Sequence, residues 1–162
     1  MTPEYDISQV PEEDRRRILV LGCGTRPIHE ATNHDLVMHH DYVDMAFDLN
    51  HIPWPIDDNE YMSIVAEDVL EHLNSFLDFF NECWRILDEE GMLVVQTVSW
   101  RSENRWRDPT HIRPYHADAF CYLDPDTTWG RKYGFYTDKK WHIETLLDED
   151  NIFVVLRKRV EC

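Results

Sequence analysis

Two glycines at the end of a short apolar run are the first residues of this sequence with a chemical use. The run Ile18-Leu19-Val20-Leu21 stops at Gly22-Cys23-Gly24-Thr25. Without side chains, Gly22 and Gly24 let the backbone come close to a ligand and take up unusual φ values. Acids stand at matching places further on: Asp35, Asp48 and the pair Glu67-Asp68, each following a short stretch with strand character. One carboxylate can take both hydroxyls of a ribose, and another can accept from the exocyclic amine of adenine. The set suits a nucleoside-type ligand, although acids on loops also serve plain solubility and turns with two glycines occur in many folds.

A second group bears on proton transfer. Asp108-Pro109-Thr110-His111 offers an imidazole able to take a proton near neutral pH, with Tyr115 and His116 close by in sequence. A structural loop histidine is the competing reading. The chain has nine histidines, yet His39-His40 stands alone and no H-x-x-x-H or H-x-x-E spacing gathers ligands on one helix face, so no metal is expected. Cys23, Cys83, Cys121 and Cys162 form no C-x-x-C pair, and Met1-Thr2-Pro3-Glu4 is no basic, apolar signal segment. The expectation is a reduced, cytoplasmic protein.

These residues need a scaffold, and the hydropathy pattern predicts one. Residues 1–14 mix prolines and acids with no apolar period and read as a loose arm. Ile18–Leu21 is a buried parallel strand ending in a tight turn. Further strands are expected over Ala31–Asp35, Tyr42–Phe47, Met62–Ala66 and Met92–Val98. The prolines of Ile52-Pro53-Trp54-Pro55-Ile56 favour an extended loop, with a turn at Asp57-Asp58-Asn59. From Asn74 the period changes: Phe76, Leu77, Phe80, Cys83, Trp84 and Leu87 recur at helical spacing. Asn74 or Ser75 can cap that helix, and Gly91 stands where a left-handed C-terminal cap is wanted. Residues 99–139 are aromatic, Arg-rich and irregular, with one short helix near Ala117–Leu123, and read as an insert or cap. Trp141–Leu147 and Ile152–Val160 flank Asp148-Glu149-Asp150-Asn151 as a hairpin. The sum is an α/β sheet, mostly parallel, with an antiparallel C-terminal hairpin.

Bulk properties narrow the function. At 162 residues, with 43% hydrophobic residues and six tryptophans, a single folded domain spanning 1–162 is expected. A net charge of -16 disfavours nucleic acid, whose binding depends on Lys and Arg neutralising phosphates. Arg101, Arg105, Arg107, Arg113, Arg131 and Lys132 nonetheless concentrate in one stretch. No apolar run approaches the roughly 20 residues that span a bilayer. The aromatics of that stretch, among them Trp100, Trp106, Tyr115, Phe120, Tyr122, Trp129, Tyr133, Phe135 and Tyr136, suit either a substrate pocket or core packing.

Several blocks, taken in order and spacing, go further. Ile18 to Thr25, Asp48-Leu49-Asn50-His51-Ile52-Pro53-Trp54-Pro55, Asp58-Asn59-Glu60-Tyr61, Val69-Leu70-Glu71-His72-Leu73, Trp84-Arg85-Ile86-Leu87 and Gly91-Met92-Leu93 resemble the small class I S-adenosyl-L-methionine (SAM)-dependent methyltransferases. The Leu-Glu-His step before the helix and the Arg-Ile-Leu-x-x-x-Gly step after it are the more specific parts, and the resemblance covers residues 17 to 98. It implies a Rossmann-like SAM methyltransferase fold with SAM as cofactor. Gly22, Cys23 and Gly24 would line its methionine part, Asp35 would hold the ribose hydroxyls, Asp48 and Leu49 the adenine, and Glu67 would touch the cofactor. His72 would lie near the sulfonium or the substrate entrance, with His111 as a base if one is needed.

The sequence departs from that family in three ways. Val20 stands where many members have an acid, Arg26-Pro27 replaces the third glycine, and only eleven residues lead from Gly24 to Asp35. The first helix is therefore expected to be shortened or replaced by a loop. The implied activity is methyl transfer to a small or medium acceptor that the sequence does not identify. The rival readings are a catalytically silent module acting through a protein partner, another SAM-using enzyme, and a nicotinamide-dependent oxidoreductase. The last requires a third glycine opening a full helix and an acid about 20 residues on. Oligomeric state stays open, since an exposed aromatic insert could pair two chains.

Overall fold

The computed structural model describes residues 6–160. Its centre is a seven-stranded sheet in the order β3-β2-β1-β4-β5-β7-β6. The strands are β1 (Ile18–Leu21), β2 (Thr32–Asp35), β3 (Met45–Ala46), β4 (Tyr61–Glu67), β5 (Leu87–Val98), β6 (Lys140–Asp148) and β7 (Asn151–Arg159). The first five pair in parallel. β7 enters antiparallel between β5 and β6, so the C-terminal hairpin is built in at one edge as the sequence predicts.

Alternation along the strands divides the core in two. Leu19 and Leu21, Ile64 and Ala66, Leu93 and Val95, and Ile152, Val154 and Leu156 share one face. That face is covered by α1 (Phe76–Ile86), which buries Phe79, Phe80, Cys83 and Ile86. Ser75 caps the helix, its hydroxyl accepting from the Asp78 N–H at 3.2 Å. On the opposite face Ile18, Val20, Val65, Val94 and Phe153 form a smaller cluster, against which Ile7, Val10 and Ile28 pack. No helix connects β1 to β2, as the eleven-residue spacing requires. Residues Ile7–Gln9 and Glu12–Arg17 make turns of 3-10 helix instead. They are tied down where Arg15 pairs with Glu30 and Arg16 donates to the Ala31 carbonyl at 2.7 Å.

Two local expectations need correction. Gly91 does not cap α1: the helix ends when the Leu87 N–H donates to the Cys83 carbonyl, and Gly91 lies within β5. Tyr61 faces Leu87 and Ser63 faces Met92, so residues 88–91 bulge opposite a single residue. A Cβ on Gly91 would stand 2.7 Å from that of Leu87, which is why a glycine suits the bulge. The third strand is shorter than Tyr42–Phe47, because β3 is an edge with only His34↔Met45 and Asp35↔Ala46 as paired positions.

The segment 99–139 carries α2 (Asp118–Cys121) and α3 (Thr128–Tyr133). Tyr115, Phe120 and Leu123 join the α1-side core, packing around Phe76 and Phe80. Tyr122, Trp129, Tyr133 and Tyr136 form a separate group of parallel stacked rings. No helix among the described residues is long and apolar enough to cross a membrane.

Candidate active site

The strand order reverses between β1 and β4, and in open α/β sheets ligands bind beyond the carboxyl ends of the strands at that switch point. The main cleft is found there. It encloses about 950 Å³, counting the open solvent at its mouth, and is lined by Gly22 and Gly24 after β1, His34, Asp35 and Leu36 from β2, Phe47 to Asn50 after β3, and Asp68, Val69, His72 and Leu73 after β4. Thr110 closes it from the long segment.

Gly22 and Gly24 have φ of 60° and 52°, left-handed values that disfavour any side chain. Between Gly22 and the turn after β4 there is no room, since a Cβ would fall 2.6 Å from the Val69 Cγ2. A Cβ on Gly24 meets open space. Asp35 fixes the loop: the Gly24 N–H donates to Oδ2 at 2.7 Å and the Leu36 N–H donates to Oδ1 at 2.6 Å. A carboxylate has about four lone-pair directions; Oδ2 also faces the Cys23 thiol at 3.9 Å, so Oδ1, with one donor, keeps capacity for a ligand's hydroxyl.

His34 forms part of the floor. The Gly22 N–H approaches its Nδ1 at 3.4 Å and its Nε2 lies 2.9 Å from the Phe47 carbonyl. These partners require a neutral ring with Nε2 as the donor, and burial holds the imidazole below its ordinary pKa. Asp48 accepts from the Asn50 N–H at 2.9 Å and meets His51 at 3.1 Å. The Asn50 backbone hydrogen bond is the main reason its carboxyl lies below the usual range. Asn50 then accepts from the Asn74 N–H at 2.9 Å, joining the loop after β3 to the start of α1.

The loop after β3 is held from below by the Trp84-Arg85-Ile86-Leu87 block. Glu82 accepts from the Trp54 N–H at 2.7 Å. Arg85 donates to both Glu82 oxygens, to the carbonyls of Ile56 and Trp54, and to Asp58. Burial raises the Glu82 pKa, but the hydrogen bonds from Arg85 and Trp54 outweigh it and leave the carboxyl below its usual value. The indole of Trp54 in turn donates to the Leu49 carbonyl at 3.1 Å, so α1 positions Leu49 in the cleft.

The sequence-predicted residues divide as follows. Gly22, Gly24, Asp35, Asp48, Leu49 and His72 all line the cleft. Cys23 and Glu67 line a small pocket on the other side of the glycine loop, together with Arg26. Burial, and then the neighbouring Asp35, push the Cys23 thiol up to about 11, which makes it a poor nucleophile. Glu67 pairs with Arg26 at 3.0 Å, and Arg26 also reaches Asp68 at 2.9 Å. Asp68 is the acid that lines the cleft after β4. His34, Phe47, Asn50 and Thr110 are further lining residues not singled out from sequence.

His72 and His111 meet. Their rings stack edge to face at 4.8 Å, Thr110 Oγ1 bridges the His72 Nδ1 at 3.0 Å and Asp108 at 2.6 Å, and the Ile112 N–H donates to the Glu71 carbonyl at 2.8 Å. Below them Glu71 is fully buried; one carboxylate oxygen accepts from the Thr97 hydroxyl at 2.8 Å and the other has no partner. Burial raises its pKa.

With this geometry in view, the likenesses to known proteins are informative. A family model described as a methyltransferase domain matches residues 28–95. Together with the strand order, this decides the class of domain. The chain carries a small SAM-dependent methyltransferase-like fold domain. Among solved structures, a SAM-dependent methyltransferase from Archaeoglobus fulgidus is 13% identical with a TM-score of 0.60, covering 87% of this chain and 85% of its own. One from Aquifex aeolicus is 12% identical with a TM-score of 0.55, covering 96% and 100%. The cyclase SpnF is 16% identical with a TM-score of 0.61, covering 89% and 74%. These identities bear on the fold alone. No curated protein sequence matches the chain significantly.

Proposed function

We propose that this methyltransferase-like domain binds SAM in the cleft between β1, β2 and β4 and transfers its methyl group to a small or medium acceptor entering past His72 and Thr110. The observation that carries the reading is Asp35. It stands at the end of β2, holds the Gly24 backbone at 2.7 Å, lines the cleft at the switch point and keeps acceptor capacity on Oδ1, which has the Leu36 N–H as its one donor. The residues fit the group. Gly22 and Gly24 leave space a Cβ would occupy or strain, Phe47 and Leu49 give apolar walls, and Asp35, Asp48 and Asp68 give a carboxylate lining. A negative cleft attracts a cationic ligand.

SAM, when bound, supplies an electrophilic methyl on a sulfonium, and that chemistry asks little of acids and bases. The protein's task is alignment. In this reading Asp35 orients the ribose, Asp48 and Leu49 select the adenine, and the backbone of Gly22 and Gly24 lies along the methionine part. His72 and His111 stand on the acceptor side. Several arginines of the long segment are already engaged, Arg101 with Asp148 and Arg113 with the Asn74 carbonyl, which favours a small acceptor over a polynucleotide.

Calorimetric titration with SAM, S-adenosylhomocysteine and NAD tests the reading. Micromolar binding of SAM or S-adenosylhomocysteine, abolished by Asp35→Ala and by Asp48→Ala, is the expected result. Absence of binding overturns it and favours the second reading, a scaffold acting through a protein partner. That reading draws on Arg26, which occupies the third-glycine position and bridges Glu67 and Asp68 beside the glycine loop.

A further inference from the structure

We propose that His72, His111 and Asp108 form a binding site for one divalent first-row transition-metal ion, of the Zn²⁺ or Co²⁺ type, at the acceptor end of the cleft. This rests on the proposed function only for the meaning of the cleft; the ligand set stands by itself. One ligand-capable atom from each of the three residues lies within 4.8 Å of the other two. A tetrahedral ion with bonds near 2.1 Å holds its ligands about 3.4 Å apart. Closing the difference takes rotations of roughly an ångström, and Asp108 is exposed while both imidazoles are only partly buried.

Three observations point the set toward a cation rather than a plain hydrogen-bonded cluster. The Thr110 hydroxyl has one hydrogen, and at 2.6 Å from the acceptor-only Asp108 carboxylate it must donate there. Its 3.0 Å contact with His72 Nδ1 then requires Nδ1–H as the donor, which leaves the Nε2 lone pair free. A ring nitrogen held by an oxygen so that the other can ligate is the usual arrangement behind metal-binding histidines. Second, His111 Nδ1 is buried with no hydrogen-bond partner, a cost that buried polar atoms seldom carry without a reason. Third, the loop is fastened before any ligand arrives, through the Ile112 N–H to Glu71 and the Arg113 side chain to the Asn74 carbonyl, both at 2.8 Å. Two imidazoles and one carboxylate suit zinc, cobalt or iron better than calcium or magnesium. Three protein ligands leave a position open, and with Thr110 lining the cleft, an oxygen-bearing acceptor is the class of molecule that would fill it.

The experiment uses the full chain without a histidine tag, stripped with chelator. Co²⁺ is titrated while visible ligand-field absorption is followed, Zn²⁺ is then added in competition, and S-adenosylhomocysteine binding is measured separately. The expected result is one equivalent of Co²⁺ bound with tetrahedral absorption, displaced by Zn²⁺, and weakened about tenfold or more by Asp108→Asn and by His111→Gln. Circular dichroism melts establish that each variant is folded, and a variant that is not leaves the decision to the other. Failure of the parent chain to bind, or binding that survives either folded substitution, overturns the proposal; the second result would point to Asp124, Asp126 and His142, the other grouping among the described residues. Metal binding without S-adenosylhomocysteine binding sinks the cofactor reading alone. The reverse sinks the metal site alone.

Discussion

Gly22→Ala and Gly24→Ala are the same chemical change two residues apart, and the structure requires them to differ. Both positions are left-handed, at φ of 60° and 52°, so each alanine bears a backbone cost of about 1–2 kcal/mol. For Gly24 that is the whole effect, because its Cβ would meet open space. For Gly22 the new Cβ would lie 2.6 Å from the Val69 Cγ2, roughly an ångström inside the normal contact distance. Val69 is only 7% exposed, so its methyl has little room to swing away, and overpacking of this kind costs about 1–3 kcal/mol more. Urea unfolding should therefore give a loss of about 3 kcal/mol for Gly22→Ala against about 1.5 kcal/mol for Gly24→Ala. In a chain of this length, each kcal/mol corresponds to a melting shift of about 2–4 °C. Adding Val69→Ala tests the cause. It should return the clash portion but not the backbone portion, giving a favourable coupling of about 1–3 kcal/mol in a double-mutant cycle. Equal losses for the two glycines, or strict additivity with Val69→Ala, would refute the packing argument.

Three other measurements bear on the buried titratable groups. Burial lowers the His34 pKa, so the unfolded chain takes up more protons; stability contributed by neutral His34 is lost as pH falls below the ordinary histidine value near 6.5. His34→Gln should flatten that limb of a melting-temperature profile. Glu71 has the opposite sign: its raised pKa makes its contribution greatest at low pH and lost as pH rises through the folded value. Glu71→Gln should therefore flatten the alkaline limb of the stability profile; an unchanged limb would count against the burial argument. Glu82→Ala should cost about 2–4 kcal/mol in denaturant unfolding, because it strips Arg85 and the Trp54 N–H of a shared partner.

Legibility in the sequence followed the local signals. β1 is a continuous apolar run, β4 and β5 carry the shorter runs Ile64-Val65-Ala66 and Met92-Leu93-Val94-Val95, and α1 has a 3.6-residue period, so all four are readable. α3 is not, because Thr128–Tyr133 shows no apolar period; its signal is Thr127, whose hydroxyl accepts from the Gly130 N–H at 2.9 Å. Gly130 is small for a tertiary reason, since a Cβ there would collide with the Asp124 carbonyl. Gly91 reads as a cap in sequence because glycine after a helix usually marks one, whereas the bulge it fits exists only once β4 pairs beside it.

The site divides along the same line between local and tertiary information. Strand alternation places Glu67: Ser63, Val65 and Glu67 are two apart along β4, and Val65 belongs to the cluster on the side away from α1. Glu67 follows Val65 to that side, where it meets Arg26. Asp68 leaves the strand at φ 55°, its N–H donating to the Gln96 carbonyl at 3.0 Å, and so turns into the cleft. Alternation accounts for Glu67, but Asp68 enters the cleft through a left-handed turn that no period-two count contains. No count would have joined His72 to His111. Their meeting depends on the Ser99↔Tyr115 bridge and the Ile112–Glu71 hydrogen bond, which fold an aperiodic segment back over the Leu-Glu-His turn. Histidine spacing on a single helix face therefore could not speak for or against a metal here, since two of the three ligands sit on a loop and the third lies 36 residues earlier in the chain.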